Sequence, residues 1–307
     1  MKGSATPRIV LLGAQGQLGW ELARSLQALG ELVAWNRGDA DLSEPLALVE
    51  PLAALAPDVV ISAAAYTAVD RAEQEPELAM IVNGVAPGVM ADAARRAGAL
   101  FVHYSTDYVF DGSGIAPRSE HDAASPINAY GRSKLAGEQA VAAAGGDWLV
   151  LRTSWVYSAR GNNFVRTMLR LGSERETLRV VDDQVGAPTS ARFLADATAL
   201  IVGQALAERR CGDFASELLH LSASGEASWH AFAAAIFEGW RALERGAGLK
   251  VRELVPIRSA EYPTPAARPL NSRLDCSRVS SRFGLYRPHW KAGLDLILAE
   301  LAGSCGA

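Results

Sequence analysis

Tyr130 and Lys134 stand four residues apart in the stretch INAYGRSKLAGEQA, whose pattern is helical. Side chains at i and i+4 share one helix face, so a phenol and an ammonium group are expected side by side. That pair suits the reduction of a ketone: a hydride goes to carbon, and a general acid must deliver a proton to oxygen. A phenol with its ordinary pKa near 10 is a poor partner at neutral pH unless a cation favours its phenolate. Lys134 supplies the cation and is also placed to hold a nicotinamide ribose. Taken alone, the spacing also fits an interfacial Tyr beside a solvated Lys, so the reading depends on what else the chain carries.

Gly13, Gly16 and Gly19 in GAQGQLG follow the apolar run RIVLL and open the helical pattern WELARSLQALG. In this strand–turn–helix setting Gly13 permits the tight turn, Gly16 lets backbone N–H groups approach a pyrophosphate, and Gly19 lets the helix sit close to the strand. The helix N-terminus favours the anion. The alternative is a Gly-rich turn that binds nothing. The spacing GxxGxxG is that of short-chain dehydrogenases and their sugar-modifying relatives. After the second apolar run come Asn36 and Arg37, where NAD enzymes commonly carry an acid for the ribose 2′-OH. A neutral Asn36 and a cationic Arg37 favour a 2′-phosphate and hence NADPH, with NADH use left open. Arg37 as a solvated loop charge is the competing reading.

Upstream of the pair, LFVHYSTDYVFDG ends a strand in hydroxyl groups, and open α/β sheets place ligands at the carboxyl ends of strands. Thr106 is the choice for a second hydroxyl bonding the substrate carbonyl. Ser105 is its rival, because adjacent strand residues point to opposite faces. Asp107 and Tyr108 are candidates for substrate contact or for bracing the loop. His103 reads as a core or supporting residue, since Tyr/Lys chemistry has no need of it.

The elements that must position these groups follow from apolar periodicity. Short apolar runs at 8–12, 31–35, 58–62, 100–105 and 148–154 alternate with helical patterns. Parallel strands need crossovers of fixed hand, so the expected fold is α/β, a Rossmann-type doubly wound parallel sheet. Residues 1–160 are assigned to this domain, with segments at about 180–215 returning to it. Residues 161–307 are assigned mainly to a smaller mixed α/β substrate domain, with helices near 163–173, 189–207 and 228–245 and short strand-like pieces RVV and LLHLS. The segment 257–275 holds prolines at 263, 265 and 269 and is expected to be a linker or a binding loop, not a regular element.

With 307 residues, 49% of them hydrophobic, and a net charge of −4, the chain has material for one large core or two lobes. Interspersed charge without basic blocks argues against nucleic acid as a partner. No run of about 18 apolar residues or signal-cleavage pattern is present, so a membrane protein is not expected and a cytoplasmic one is. Cys211, Cys276 and Cys305 form no CxxC pair and have no His at ligand spacing, which suggests neither disulfides nor zinc.

The strings GAQGQLG, ISAAAYTAVDRAE, VHYSTDYVFDG, YGRSKLAGE, LRTSWVYSARGNNFVRTMLRL, VVDDQVGAPTSARFLAD and YPTPAARPLNSRLD, in that order, resemble the dTDP-4-dehydrorhamnose reductases from about residue 8 to residue 300. The resemblance implies NAD(P)H-dependent reduction of the C4 ketone of dTDP-4-dehydro-β-L-rhamnose, the last step of dTDP-L-rhamnose synthesis. It implies that Gly16, Gln17 and Leu18 contact the pyrophosphate, that Asp41 and Leu42 lie on the adenine side, and that Ala63, Ala64, Ala65 and Tyr104 flank the nicotinamide half. Thr106, Tyr130 and Lys134 match the family's catalytic trio. Thr106, Asp107 and Trp155 are implied at the sugar, with core packing as the alternative for Trp155, and Thr67 is a further substrate-binding candidate. Asn163, Arg268, Asn271 and Ser272 are further substrate candidates, Arg268 for the diphosphate because guanidinium matches phosphate geometry.

Two departures matter. Asn36 replaces the acid of NADH-capable members. Arg192 occupies a place where some members carry a Glu of an inter-subunit Mg²⁺ site, and an Arg cannot ligate a hard cation. No structural magnesium is therefore expected, and the assembly expected is a monomer or weak homodimer. Two other readings share the fold: a non-catalytic NADP-binding regulatory subunit like the methionine adenosyltransferase β subunit, and a sugar-nucleotide epimerase or dehydratase.

Overall fold

Strands that are buried on both faces should read as unbroken apolar runs, and RIVLL, VVIS and WLVLRT do. The computed structural model describes residues 6–243 and 248–304. The first half forms β1 (Arg8–Leu12), α1 (Gln17–Ser25), β2 (Glu31–Trp35), α2 (Val49–Leu55), β3 (Val59–Ser62), α3 (Val69–Ala72), α4 (Pro76–Met80), α5 (Ala86–Arg96), β4 (Leu100–Thr106), α6 (Ala129–Ala144) and β5 (Trp148–Thr153). There follow β6 (Val156–Tyr157), α7 (Phe164–Glu174), β7 (Thr177–Val181), β8 (Val185–Gly186), β9 (Thr189–Ser190), α8 (Ala191–Cys211), β10 (Glu217–His220) and β11 (Ala227–Ser228). The chain closes with α9 (Trp229–Ala242), β12 (Glu253–Ile257), β13 (Asn271–Ser272), α10 (Ser277–Phe283) and α11 (Trp290–Ser304).

The main sheet is wholly parallel in the order β10-β5-β4-β3-β1-β2. Its strand order reverses between β1 and β3, the switch point at which such sheets open a ligand crevice. Alternate residues feed opposite layers. Ile9, Leu11, Ile61, Val102 and Leu151 pack with residues of α1 and α8 on one face. Val10, Leu12, Val60, Phe101 and Val150 pack with residues of α2, α5 and α6 on the other. A third apolar cluster joins Tyr157, Val165, Met168, Val180, Phe232, Ile236 and Trp290 in the second lobe.

Several expectations are refined. LLHLS joins the main sheet: its first three residues, Leu218–His220, belong to β10, the sixth strand, paired with β5. Cys276, Val279 and Phe283 also return to the main-sheet core, later than the 180–215 segment. Within 257–275 most of the chain is irregular, but Asn271–Ser272 forms β13, parallel to β8. The helix expected over 228–245 is α9; residues 244 and 245, like Cys305, lie outside the described residues. No helix among the described residues is long and apolar enough to cross a membrane.

Candidate active site

The phosphate loop is held by sterics that admit only glycine. Gly13 has φ +80°, and a Cβ there would meet the Ala64 backbone N at 2.7 Å. A Cβ on Gly19 would lie 2.0 Å from the Gly13 carbonyl oxygen. The β1 turn therefore lies against the Ala63–Ala65 segment that leaves β3, and α1 is pressed onto that turn. Gly16 is the N-cap of α1, with no side-chain cap and no acid in the first turn, so the helix N-terminus is uncommitted and suited to an anion. Leu18 is half-buried and packs against the core.

At the end of β2, Asn36 Oδ1 accepts from Gly38 N at 2.7 Å, closing a tight turn. Arg37 is 82% exposed and pairs with Asp41 at 3.3 Å, so its guanidinium is free to be drawn to a phosphate. Leu42 is buried beneath. The cradle fits a dinucleotide, with an uncharged Asn and a mobile cation where an acid would select a bare ribose.

The candidate trio Thr106, Tyr130 and Lys134 lies at the C-terminal end of β4 and in the first turns of α6. Asn128 caps α6 by accepting from Gly131 N at 2.7 Å, which fixes Tyr130 in the first turn. Lys134, one turn later, is buried; its Nζ donates to the Tyr104 carbonyl at 2.6 Å and lies 3.1 Å from His103 Nε2. Burial pushes its pKa down to about 8, against the opposing pull of Glu138. Burial raises the Tyr130 phenol, while a hydrogen bond with Thr106 works the other way, so the phenol stays protonated at neutral pH. Thr106 Oγ1 also meets Asp107 Oδ1 at 3.1 Å and accepts from Tyr108 N at 3.2 Å. Ser105 Oγ is buried with no hydrogen-bond partner, so the geometry favours Thr106 over its neighbour. Asp107 is buried, which raises its carboxyl to about 6 despite hydrogen bonds from Ser272 and Thr106.

Beside the trio opens a cavity of about 840 Å³. Tyr108 and Arg268 line it, with Phe164, Arg175, Gln184 and Trp229 among its other walls. Tyr108 packs edge-on against Tyr130 at 5.6 Å, which links the cavity to the candidate trio. Arg268 donates to Asp70 Oδ2 at 2.7 Å and reaches the Tyr108 hydroxyl at 3.3 Å.

Other expected contacts are redirected. The Tyr104 phenol bonds Thr198 at 2.7 Å on the far side of β4, so only its carbonyl belongs to the site. Asn163 caps α7 and donates to Gln17 Oε1 at 2.9 Å, tying the second lobe to the phosphate loop instead of facing the cavity. Asn271 is buried and donates to Ala116 O at 2.8 Å while its Oδ1 accepts from Arg273 N. Trp155 adopts φ 49°, a strained left-handed backbone for a bulky residue, and stacks at 3.6 Å on Trp229, which lines the cavity in its place. Thr67 is exposed in the loop after β3. Arg192 pairs with Asp196 at 3.1 Å. Among the described residues no group of three or more His, Cys, Asp or Glu is placed to hold a metal.

Residues that sequence spacing did not reveal include Asn83 and Trp229. Asn83 is fully buried in a single π-helical turn, Ile81–Val85, and bonds both Tyr66 N and Ser133 Oγ, locking the β3–α3 loop to α6. Trp229 starts α9 and donates to Gln184 at 3.1 Å. A lone Asn in an apolar helix and a Trp in an apolar run carry no spacing signal. The only sequence cue was the polar interruption in IVNGVAP.

Similarity agrees with the geometry. The family model described as the RmlD substrate binding domain matches residues 7–302. A dTDP-4-dehydrorhamnose reductase of Burkholderia thailandensis is 52% identical over 294 residues, covering 96% of this chain and 99% of that protein. The crystal structure of a dTDP-4-dehydrorhamnose reductase from Clostridium acetobutylicum superposes with TM-score 0.86 at 36% identity, over 96% of this chain and 99% of the other. The Bacillus anthracis reductase, solved in complex with NADP, gives 0.84 at 33% identity with the same coverage. A family model that matches residues 7–302 and a reductase 52% identical over 96% of the chain place this protein in the dTDP-4-dehydrorhamnose reductase family.

Proposed function

We propose that this protein reduces the C4 ketone of dTDP-4-dehydro-β-L-rhamnose to give dTDP-L-rhamnose, with NADPH preferred over NADH. The observation that carries the reading is the cluster of buried Thr106 and Lys134 with half-buried Tyr130 at the sheet's carboxyl edge, beside a cavity large enough for a nucleotide sugar. The nicotinamide, when bound, supplies the hydride. Gly13, Gly16 and Gly19 with the α1 N-terminus would hold its pyrophosphate, and Arg37 its 2′-phosphate.

The side chains have separate tasks. Tyr130 gives its phenolic proton to the substrate oxygen as charge develops there. Lys134 stabilises the phenolate that remains, an interaction strengthened by the dry surroundings. Thr106 orients the Tyr130 hydroxyl and shares the carbonyl oxygen. Asp107, joined to Thr106 and Ser272, fixes the loop on which the sugar rests. Arg268 meets the diphosphate, and its bond to Asp70 keeps it extended into the cavity. With Arg192 in the place of an acid, the protein acts without structural magnesium, as a monomer or weak dimer.

Cofactor stoichiometry tests the reading. Mixing protein, NADPH and dTDP-4-dehydro-β-L-rhamnose should consume one NADPH per sugar reduced, and faster than NADH. Sugar conversion with no net oxidation would favour an epimerase, and tight NADP binding with no conversion a regulatory subunit.

A further inference from the structure

His103 is the one buried titratable group of the cluster that the reaction as described does not use. It lies in the centre of β4, 1% exposed, with Nε2 at 3.1 Å from Lys134 Nζ. Its Nδ1 has no hydrogen-bond partner. On the neighbouring strand Ser62 is its Cα partner and so shares its sheet face, and Ser62 Oγ is likewise buried without a partner. Two orphaned polar atoms on one dry face are costly unless they serve each other or a third group.

The ammonium of Lys134 has three protons to donate. One goes to the Tyr104 carbonyl and one meets His103, which leaves one for the active-site side. A neutral imidazole has a single acceptor nitrogen, so accepting at Nε2 puts its proton on Nδ1. Burial and the adjacent Lys134 charge both push the His103 pKa well below its ordinary value, so the ring remains neutral and does not repel the cation.

We propose that His103 is a positioning residue for the reduction: its Nε2 anchors the Lys134 ammonium and keeps it charged one helical turn from Tyr130, while its own proton stays on Nδ1. The proposal rests on Tyr130 and Lys134 being the proton-donor pair. Other charged groups around Lys134 are accounted for. Glu138 on α6 favours the cation but is itself bound by both arms of Arg152 on β5, at 2.8 and 2.6 Å. His220 on β10 lies behind Arg152. On α5, Asp92 is paired with Arg95 and Arg96. Asp107 and Tyr108 face Tyr130 from the β4 end. His103 is thus the only neutral side-chain acceptor bonded to Lys134 among the described residues.

Removing that acceptor leaves a desolvated cation less supported, so its pKa falls further. In His103→Leu the alkaline limb of the kcat profile should move to lower pH by about one unit, with turnover near pH 6 little changed. His103→Gln, whose side chain carries an acceptor to a similar reach, should restore the limb. A second readout needs no turnover: long-range ¹H–¹⁵N spectra of wild-type protein without cofactor should show His103 protonated on Nδ1, unprotonated on Nε2 and without titration from pH 5 to 9. A proton on Nε2, an unmoved limb in the Leu variant, or no rescue by Gln overturns the proposal. Full turnover in Tyr130→Phe would instead remove the donor pair itself, a failure distinct from these.

Discussion

The catalytic cluster and the adjoining cavity are built on opposite principles. The cluster sits on β4 and α6, two regular elements; Thr106, Asp107 and Lys134 are buried, Thr106 bonding Asp107 and Lys134 bonding His103 and the Tyr104 carbonyl. The cavity is walled by α7, β7 and the loop segment 259–268, and holds charged side chains such as Arg175 and Arg179. Regular elements fix a proton donor to a fraction of an ångström, as general acid catalysis requires. Loops can instead follow a ligand's outline and carry its specificity. Changes in the cluster should therefore alter turnover, and changes in the cavity should alter substrate affinity.

The largest expected effect is at the donor. Tyr130→Phe should lower kcat by ~10²–10⁴-fold with the NADPH dissociation constant nearly unchanged, measured by steady-state kinetics and fluorescence titration. An equal loss in binding would show that the phenol holds cofactor and does not donate the proton.

Next comes the cradle. Gly19→Ala sets a Cβ against the Gly13 carbonyl at 2.0 Å, so α1 must move off the turn. NADPH affinity should fall by about tenfold or more, equivalent to at least ~1.4 kcal/mol, by calorimetric titration. Unchanged affinity would mean that the pyrophosphate does not sit at this helix end.

Arg268→Met sharpens the cavity side of the comparison. Losing a charge-assisted contact to the diphosphate should raise KM by about tenfold and leave kcat within about twofold. A fall in kcat alone would move Arg268 from the cavity into the cluster.

The smallest effect is one of stability. Asp107 has a folded-state pKa raised from 3.8 to about 6, so its native form binds the proton more tightly than the unfolded chain. Its contribution is full below pH 3.8 and lost as pH rises through about 6. Asp107→Asn removes that loss and should be more stable than wild type above pH 6 by on the order of 1–3 kcal/mol, in urea melts. An advantage that is the same at pH 5 and pH 8 would contradict the burial of a charged carboxylate.

How much was legible in the sequence follows the same division. β1 and β2 fall on the expected residues 8–12 and 31–35 because their apolar runs are bounded by Gly and polar residues. Tyr130 and Lys134 were legible because helical spacing puts them on one face. Asn163 and Asn271 are substrate candidates by sequence, and their structural tasks, capping α7 and bonding Ala116 O, carry no local signal, since a polar side chain looks the same in sequence whether it meets a ligand or the backbone. β10 was assigned to the wrong lobe because a sixth strand reaches the sheet only through a long return that no local pattern encodes. Trp229 and Asn83 act through partners 45 and 50 residues away, at Gln184 and Ser133, and no window along the chain contains both members.

The central claim is that Tyr130 delivers a proton during NADPH-dependent reduction of dTDP-4-dehydro-β-L-rhamnose. Its most direct test is loss of nicotinamide absorbance for wild type and Tyr130→Phe side by side, with bound NADPH measured in both. Rapid oxidation by wild type and almost none by the variant, at equal occupancy, is the result predicted. Equal rates in the two proteins, or no oxidation by wild type with cofactor bound, would contradict it.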